Sequence, residues 1–267
     1  MKRRVVVLVV AMAVLAAIAA PAQENDRALQ AYLDNFRDAS PEVKLDILQT
    51  ADMLSVEELG PLYNQAVQYV LSNVDQIQAN AILRDIALFA VERIGEGGYA
   101  PAAGSLWSLF VEYEDNTTRI EILNVLGEIA SGNAEVVLDL NGWVQTQTNL
   151  YRGGVNPDEQ VFRVAVQTLG DLGDASSFPI LLDVQLAQIS DVITNEAQAA
   201  MEALPGDYVE QAVATVNARS ITNRLPALEY FLADADLADE ERARIATGVL
   251  SEAVLEVLRD PTQIEAQ

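Results

Sequence analysis

The feature that most limits the fold of this chain is a series of apolar segments at helical spacing, each followed by a short polar break. In one segment Ile82, Ile86, Ala90 and Ile94 recur at every fourth position, which places them along one face of a helix. Strands require alternating apolar and polar residues, or short β-branched runs bounded by turns. The sequence offers no convincing series of either, so the pattern predicts an all-α fold.

The polar breaks set the length of a repeating unit. The last apolar residues before them lie 40, 35, 43 and 32 residues apart, and these residues are Leu54, Ile94, Ile129, Leu172 and Leu204. A sixth unit ends near Leu232. Periods in the thirties to forties are typical of α-solenoids, in which two-helix units stack because no single unit buries its apolar stripe alone. We therefore expect about five to six helical hairpins.

The fourth unit carries the clearest repeat motif, because residues 161–183 read VFRVAVQTLGDLGDASSFPILLD. This segment resembles a HEAT repeat, in particular the short bacterial kind also found in bilin (PBS) lyases. The matching positions are Arg163, Ala165, Leu169, Gly170, Leu172, Gly173, Asp174 and Pro179. Residues 118–139 are a looser copy, with Arg119, Leu126, Gly127, Ile129 and Asp139. The resemblance implies a right-handed α-solenoid of HEAT-like hairpins over residues 23–267, with a surface that binds proteins.

Two glycines inside helices predict a close approach between neighbouring helices. In a helix interior, glycine at Gly127 or Gly170 costs about 1 kcal/mol relative to alanine. Such a cost is explained if the two helices of one hairpin approach closely at that point. Gly173 is expected to end the first helix of its hairpin, and Asp174 is expected to cap the second.

The first 22 residues have the organisation of a signal peptide. Three cations at positions 2–4 precede an apolar run over residues 5–20, and Ala20 and Ala22 are the small residues that a signal peptidase reads. An uncleaved anchor is the alternative, but 16 apolar residues span about 24 Å as a helix, against about 30 Å of hydrocarbon. We expect an exported, periplasmic or extracellular protein with no transmembrane anchor after cleavage. Without Cys it has no lipid anchor.

The charge and two missing residue types exclude much of the usual chemistry. The chain has 16 Lys and Arg against 40 Asp and Glu, a formal net charge of −24, and neither His nor Cys. Removing residues 1–22 takes away three cations and no acid, which changes the net charge to −27. So acidic a chain lacks the basic footprint of a nucleic-acid-binding protein. The missing residues remove catalytic triads, imidazole and thiolate metal sites and disulfides, so we expect no enzyme, no cofactor and no metal.

Two groups of acidic residues could form a functional site, one as a calcium loop and one as a pair of catalytic carboxylates. Residues 234–241 superficially resemble a calcium loop, but Asp239 stands where the EF-hand pattern needs glycine. A polar turn, with Asp236 capping the next helix, is the expected structure. A pair such as Asp171 and Asp174 would supply the two carboxylates of a glycoside hydrolase, although a chain with 40 acids contains many such pairs by chance.

Four residues are candidates for contact with a partner. Asp139 and Asp183 occupy equivalent positions in the second helices of neighbouring units. Side by side they would form an anionic stripe for a cationic partner, and the alternative that we favour is a hydrogen bond between repeats. Trp107 and Trp143, 36 residues apart, are either exposed anchors or, as we favour, core between units. Residues 146–157 form the longest polar interval and predict an extended loop.

These features predict an exported acidic HEAT-repeat scaffold that binds a protein partner along the solenoid surface. The negative charge favours a partner with a basic surface, and an association that weakens with salt. The alternative function is an all-helical, carboxylate-dependent hydrolase of the cell envelope. A third is a passive structural protein. Iron-dependent hydroxylases with similar repeats use paired His-Glu motifs, which a chain without His does not provide.

Overall fold

The structure, a computed structural model, describes residues 25–51 and 58–259. Its regular elements in these ranges are helices, with no strand among them, which confirms the all-α class. The predicted signal peptide with its cleavage residues Ala20 and Ala22, and the predicted break at Leu54, lie outside the described residues. In the described ranges, none of the helices combines the length and the apolarity that crossing a membrane requires.

Contacts between helices divide the chain into two compact units, Met1–Ile129 and Ala130–Gln267. In its described residues unit 1 contains α1 (25–38), α2 (Pro41–Thr50), α3 (Gly60–Leu71), α4 (Val74–Ile77), α5 (Ala81–Glu96), α6 (Ala103–Glu112) and α7 (Asn116–Ile129). Unit 2 contains α8 (Ala134–Arg152), α9 (Glu159–Leu172), α10 (Phe178–Ala187), α11 (Asp191–Ala203), α12 (Tyr208–Asn217), α13 (Ile221–Ala233) and α14 (Asp239–Arg259).

The predicted breaks fall at the ends of alternate helices. Ile129 and Leu172 are the last residues of α7 and α9. Ile94 lies in the last turn of α5, and Leu204 directly follows α11. The period read from the sequence is therefore the distance between the ends of every second helix.

Within each unit, helices pack against the helix two positions further along the chain. In unit 1, α3 packs on α5 and α5 packs on α7; in unit 2, α8 packs on α10, α9 on α11 and α12 on α14. The apolar stripe of α9 shows what this packing buries. Six of the apolar side chains of α9 are at most 3% exposed, namely Val161, Phe162, Ala165, Val166, Leu169 and Leu172.

The close approach predicted at Gly170 is present, but its partner is a different helix. A Cβ atom at Gly170 would lie 3.0 Å from the Cα and 3.1 Å from the Cβ of Ala200. α9 therefore touches α11, and the prediction of a contact within one hairpin is wrong here. Near the end of α5, a Cβ at Gly95 would lie 2.8 Å from a methyl group of Val125 in α7. Gly127 lies half-buried in α7.

In the turn between α9 and α10, Gly173 ends the first helix as predicted, whereas Asp174 caps a short 3₁₀ turn and Ser177 is the N-cap residue of α10. Gly173 ends α9 in the left-handed conformation with a φ of 63°, which glycine adopts without steric cost. The Asp174 carboxylate accepts a hydrogen bond from the Ser176 N–H at 2.9 Å. Hydrogen bonds from the side chain and backbone of Ser176 lower the pKa of Asp174. A 3₁₀ turn, Ala175–Ser177, follows, and Pro179 lies in the first turn of α10.

Most of the polar interval 146–157 is helix, not the extended loop that its polarity predicts. α8 continues to Arg152, and residues 153–158 connect it to α9. Thr148 lies on the buried side of α8 and donates its hydroxyl hydrogen to the carbonyl oxygen of Val144 at 2.9 Å. The exposed polar residues of this interval therefore belong to the outer face of an amphipathic helix.

Side chains in unit 2 bind partners about one repeat away along the chain. Arg163 of the HEAT-like motif donates from Nη1 to Glu196 Oε2 at 3.2 Å, across 33 residues. Arg244 donates from Nη2 to Asp207 Oδ2 at 3.1 Å, across 37 residues. The first link joins α9 to α11, and the second joins α14 to the start of α12. Both connect helices that are two positions apart.

Replacing Gly170 by leucine is expected to lower the free energy of unfolding by about 1–3 kcal/mol, because the new side chain would collide with Ala200. Gly142 is the matched control, since it lies exposed in α8 and a Cβ there would meet no atom within 4 Å. Gly142→Leu should leave stability unchanged or raise it. Chemical denaturation followed by circular dichroism measures both changes. Equal effects of the two substitutions would contradict the contact between α9 and α11.

Asp207 predicts a loss of stability in acid. Its carboxylate caps α12 by accepting the Glu210 N–H at 3.1 Å, and this bond, followed by the contact with Arg244, lowers the pKa of Asp207. A group whose pKa is lower in the folded state contributes stability above its unfolded pKa and loses it as the pH falls through the folded one. Asp207→Asn should therefore show a smaller drop in unfolding free energy between neutral pH and about pH 3. Identical pH profiles would refute this role.

Candidate partner-binding groove

A groove of about 660 Å³ lies on the surface of unit 2. α8 contributes Gln145 and Asn149 to its wall, α10 contributes Pro179 and Ile180, and α13 contributes Pro226. This volume is within the range of ligand sites in proteins. The wall combines amide groups, which form hydrogen bonds, with apolar groups, which gain free energy when a ligand covers them. Pro179, which the motif assigned to the repeat, is thus part of this surface.

Three charged side chains meet in the groove. Arg219, which follows α12, places Nη1 2.8 Å from Asp183 Oδ1. Arg152, at the end of α8, donates from Nη2 to the main-chain carbonyl of Asp183 at 3.0 Å and lies 3.8 Å from its carboxylate. Asp183 therefore connects α10 with the ends of α8 and α12. Two guanidinium groups against one carboxylate leave a local positive charge, in a chain whose net charge is −24.

Burial holds this cluster in place. The side chains of Arg219 and Asp183 are 15% and 20% exposed, whereas that of Arg152 is 42% exposed. Salt screens partly buried ion pairs less than exposed ones. In the part of the chain that the structure describes, the buried Arg219 Nε has no hydrogen-bond partner. The groove is therefore lined by charged groups that burial holds in place.

A second depression, the acidic hollow, has a volume of about 590 Å³ and is lined by Glu229, Asp234 and Asp236. Asp234 Oδ1 accepts the N–H of Asp236 at 2.9 Å, and α14 begins at Asp239. The turn is polar as expected, but Asp236 does not cap α14, because the helix begins three positions later at Asp239. Asp236 belongs to the turn before the helix.

Polar side chains from three helices meet beside the acidic hollow. Gln185 Nε2 donates to Tyr230 Oη at 2.9 Å and to Gln198 Oε1 at 3.2 Å, and the Tyr230 hydroxyl donates to Gln198. Burial raises the pKa of Tyr230, which keeps the hydroxyl protonated. The junction fixes α10, α11 and α13 relative to one another within unit 2.

Asp139 does not share the surroundings of Asp183. Asp139 is exposed and lies 13 residues before Arg152 on α8, a distance of about 20 Å along the helix axis. Asp183 is next to Arg152, so the two carboxylates lie at different levels and form no continuous stripe. Asp183 contacts Arg152 and Arg219, which are 31 and 36 residues away along the chain.

The two tryptophans pack on separate apolar cores. Trp107 stacks on Phe110 in unit 1 with ring centroids 5.1 Å apart, and Trp143 lies 6.2 Å from the ring of Phe162 in unit 2. Both tryptophans are half-buried, whereas both phenylalanines are fully buried. Each indole thus covers the core of its own unit, and neither lines the groove.

The carboxylates of the described residues do not gather in groups of three or more that would hold a metal ion. Burial, followed by the nearby charge of Glu196, raises the pKa of Asp171. Asp171 lies in α9 and lines neither the groove nor the acidic hollow. The groove contains one carboxylate, Asp183, and both neighbouring charges are guanidinium groups.

No protein-family model matches the chain, and no curated protein matches it.

Sequence reasoning did not find Arg152, Arg219 or the junction of Gln185 with Tyr230. The signal that would have found the charged cluster is spacing, because Arg152 and Asp183 are 31 residues apart and Asp183 and Arg219 are 36 apart. Both distances are close to one repeat. A search for opposite charges at that separation would have selected these residues.

Replacing Asp183 by alanine is expected to lower the free energy of unfolding by about 2 kcal/mol, because Arg219 would remain partly buried without its anion. Asp139→Ala is the matched control, since it removes an exposed carboxylate from α8 and should change stability by less than about 0.5 kcal/mol. Urea denaturation of both variants provides the measurement. A stability loss no larger for Asp183→Ala than for Asp139→Ala would contradict the bridging role.

Proposed function

We propose that this chain is an exported acidic scaffold, a right-handed α-solenoid of HEAT-like hairpins that binds a partner protein along its surface. The observation that carries the proposal is the groove of unit 2. Its wall combines fixed charges with apolar side chains, and it lies on a helical framework whose neighbours are linked across one repeat. Rigid helical surfaces of this composition are suited to binding other proteins.

Two features support the solenoid. Helices within each unit pack on the helix two positions further along, which is the contact pattern expected of stacked two-helix units. Polar links in unit 2 join residues 31 to 37 apart, and such links are expected when equivalent positions of successive hairpins lie at the same level.

The charge supports a basic partner. With 40 acids and 16 cations, the chain creates a negative potential that accelerates association with a positive surface and repels a negative one. Export is supported by the signal-peptide organisation of residues 1–22, since a basic segment, an apolar run and small residues follow in the order that the secretion machinery reads.

The hydrolase alternative has less support. A glycoside hydrolase requires one carboxylic acid as proton donor and a second carboxylate as base or nucleophile. Among its lining residues the groove holds one carboxylate, Asp183, with Arg152 and Arg219 beside it.

Binding should map to the groove. The exported protein is immobilised, partners from the envelope or medium of its host are captured and identified, and each purified partner is titrated by calorimetry. Ala218, exposed and in the wall of the groove, is replaced by tryptophan to fill it. We expect affinity to fall at least about tenfold, as at central interface positions, and to weaken between about 50 and 500 mM salt.

The control variant introduces a tryptophan at an exposed position outside the groove. Leu138 is 71% exposed on α8 and lies outside the groove, so Leu138→Trp should leave the affinity unchanged. Equal affinity of wild type and Ala218→Trp would reject the groove as the binding surface. Partners retained equally at low and high salt would reject electrostatic recognition.

A further inference from the structure

The groove and the acidic hollow are adjacent depressions. Leu186 of α10 and Pro226 of α13 line both of them. These two apolar side chains therefore lie between the depressions. A ligand that crosses them contacts a surface made of both.

The groove end of this surface offers unused hydrogen-bond donors. Arg152 is 42% exposed, and its contacts with Asp183 involve Nη2 alone. A guanidinium group has five N–H donors in a planar fork that matches the two oxygens of a carboxylate. Arg219, whose side chain is 15% exposed, adds a second guanidinium group beside it. The groove end therefore fits an acidic group.

The opposite end offers unused acceptors. Glu229 and Asp236 are exposed, and the residues that line the acidic hollow include no Lys or Arg. Gln185, 6% exposed, also lines it, and its buried Oε1 has no hydrogen-bond partner in the described part of the chain. This end therefore fits a basic group.

The distance between the ends sets the size of the ligand. Asn223 lines the groove, and Asp234, 11 residues later on the same stretch of chain, lines the acidic hollow. Eleven residues of helix span about 16 Å. An extended peptide advances about 3.3 Å per residue, so about five residues cover this distance.

We propose that this surface binds an extended segment of the partner protein that carries an acidic side chain and, about five residues away, a basic one. The acid contacts Arg152 and Arg219, and the base contacts Glu229, Asp234 and Asp236. This inference rests on the proposed function, since it names the part of the partner that the groove receives. It adds a recognition rule, because opposite charges at fixed separation select one register and one direction of the segment.

The test uses fluorescent, acetylated and amidated peptides of Ser and Ala with one Glu and one Arg, in both orders, separated by about two to eight positions. Anisotropy with the full exported protein measures binding. We expect peptides with one of the two orders to bind best, at a separation of about five residues. Replacing either the Glu or the Arg of that peptide by Gln should weaken its binding about tenfold. Equal binding for both orders, or at all separations, would overturn the proposal.

Two variants locate each contact. Arg152→Gln should weaken the Glu–Arg peptide about tenfold and leave the peptide that lacks Glu unchanged. Asp236→Asn should likewise weaken binding of the Glu–Arg peptide about tenfold and leave binding of the peptide that lacks Arg unchanged. Arg259→Gln, which removes an exposed cation outside both depressions, should change neither, and circular dichroism checks that all variants are folded. Variants without these selective effects would overturn the assignment.

Failure of this inference is separable from failure of the proposed function. One outcome is that the peptides do not bind while Ala218→Trp abolishes binding of the partner protein. This outcome would reject the paired-charge rule and leave the groove as the binding surface. A partner that binds Ala218→Trp normally would reject the proposed function.

Discussion

Unit 2 depends on side chains that bind partners 31 to 37 residues away along the chain. Arg152 reaches Asp183 across 31 residues, and Arg163 reaches Glu196 across 33. Helices two positions apart lie side by side, so a single long side chain is enough to join such residues. The apolar stripes hold the helices together through burial, and these polar links fix how far one helix is displaced along its neighbour.

The chain has 40 acids and only 16 cations, and several of these cations contact more than one group. Lys44 donates to main-chain carbonyls at the end of α1, Arg84 to those at the end of α4, and Arg224 to those at the end of α12. Helix ends leave such carbonyls without partners and carry partial negative charge. Arg224 also binds Glu256, so one guanidinium group caps a helix and joins it to another.

Helix class and the positions of several helix ends were readable in the sequence because glycines and apolar periodicity are local signals. The end of α9 at Gly173 is an example. The continuation of α8 to Arg152 was not readable, because a polar helix face and a polar loop have similar composition. Nor did the sequence identify Ala200 as the neighbour of Gly170, since a glycine indicates close approach without naming the other helix. The groove was missed for the same reason, as its charges come from three separate helical regions.

Among their lining residues, the groove and the acidic hollow carry charge only on guanidinium and carboxylate groups. Carboxylic acids ordinarily lose their protons near about pH 4, and guanidinium groups keep theirs beyond about pH 12. The chain has no His, the side chain whose ordinary pKa lies nearest neutrality, and no Cys. Neither depression therefore recognises its ligand through an imidazole or a thiol. Contacts to a surface of this kind weaken as ionic strength rises, because salt screens charges that are exposed to solvent.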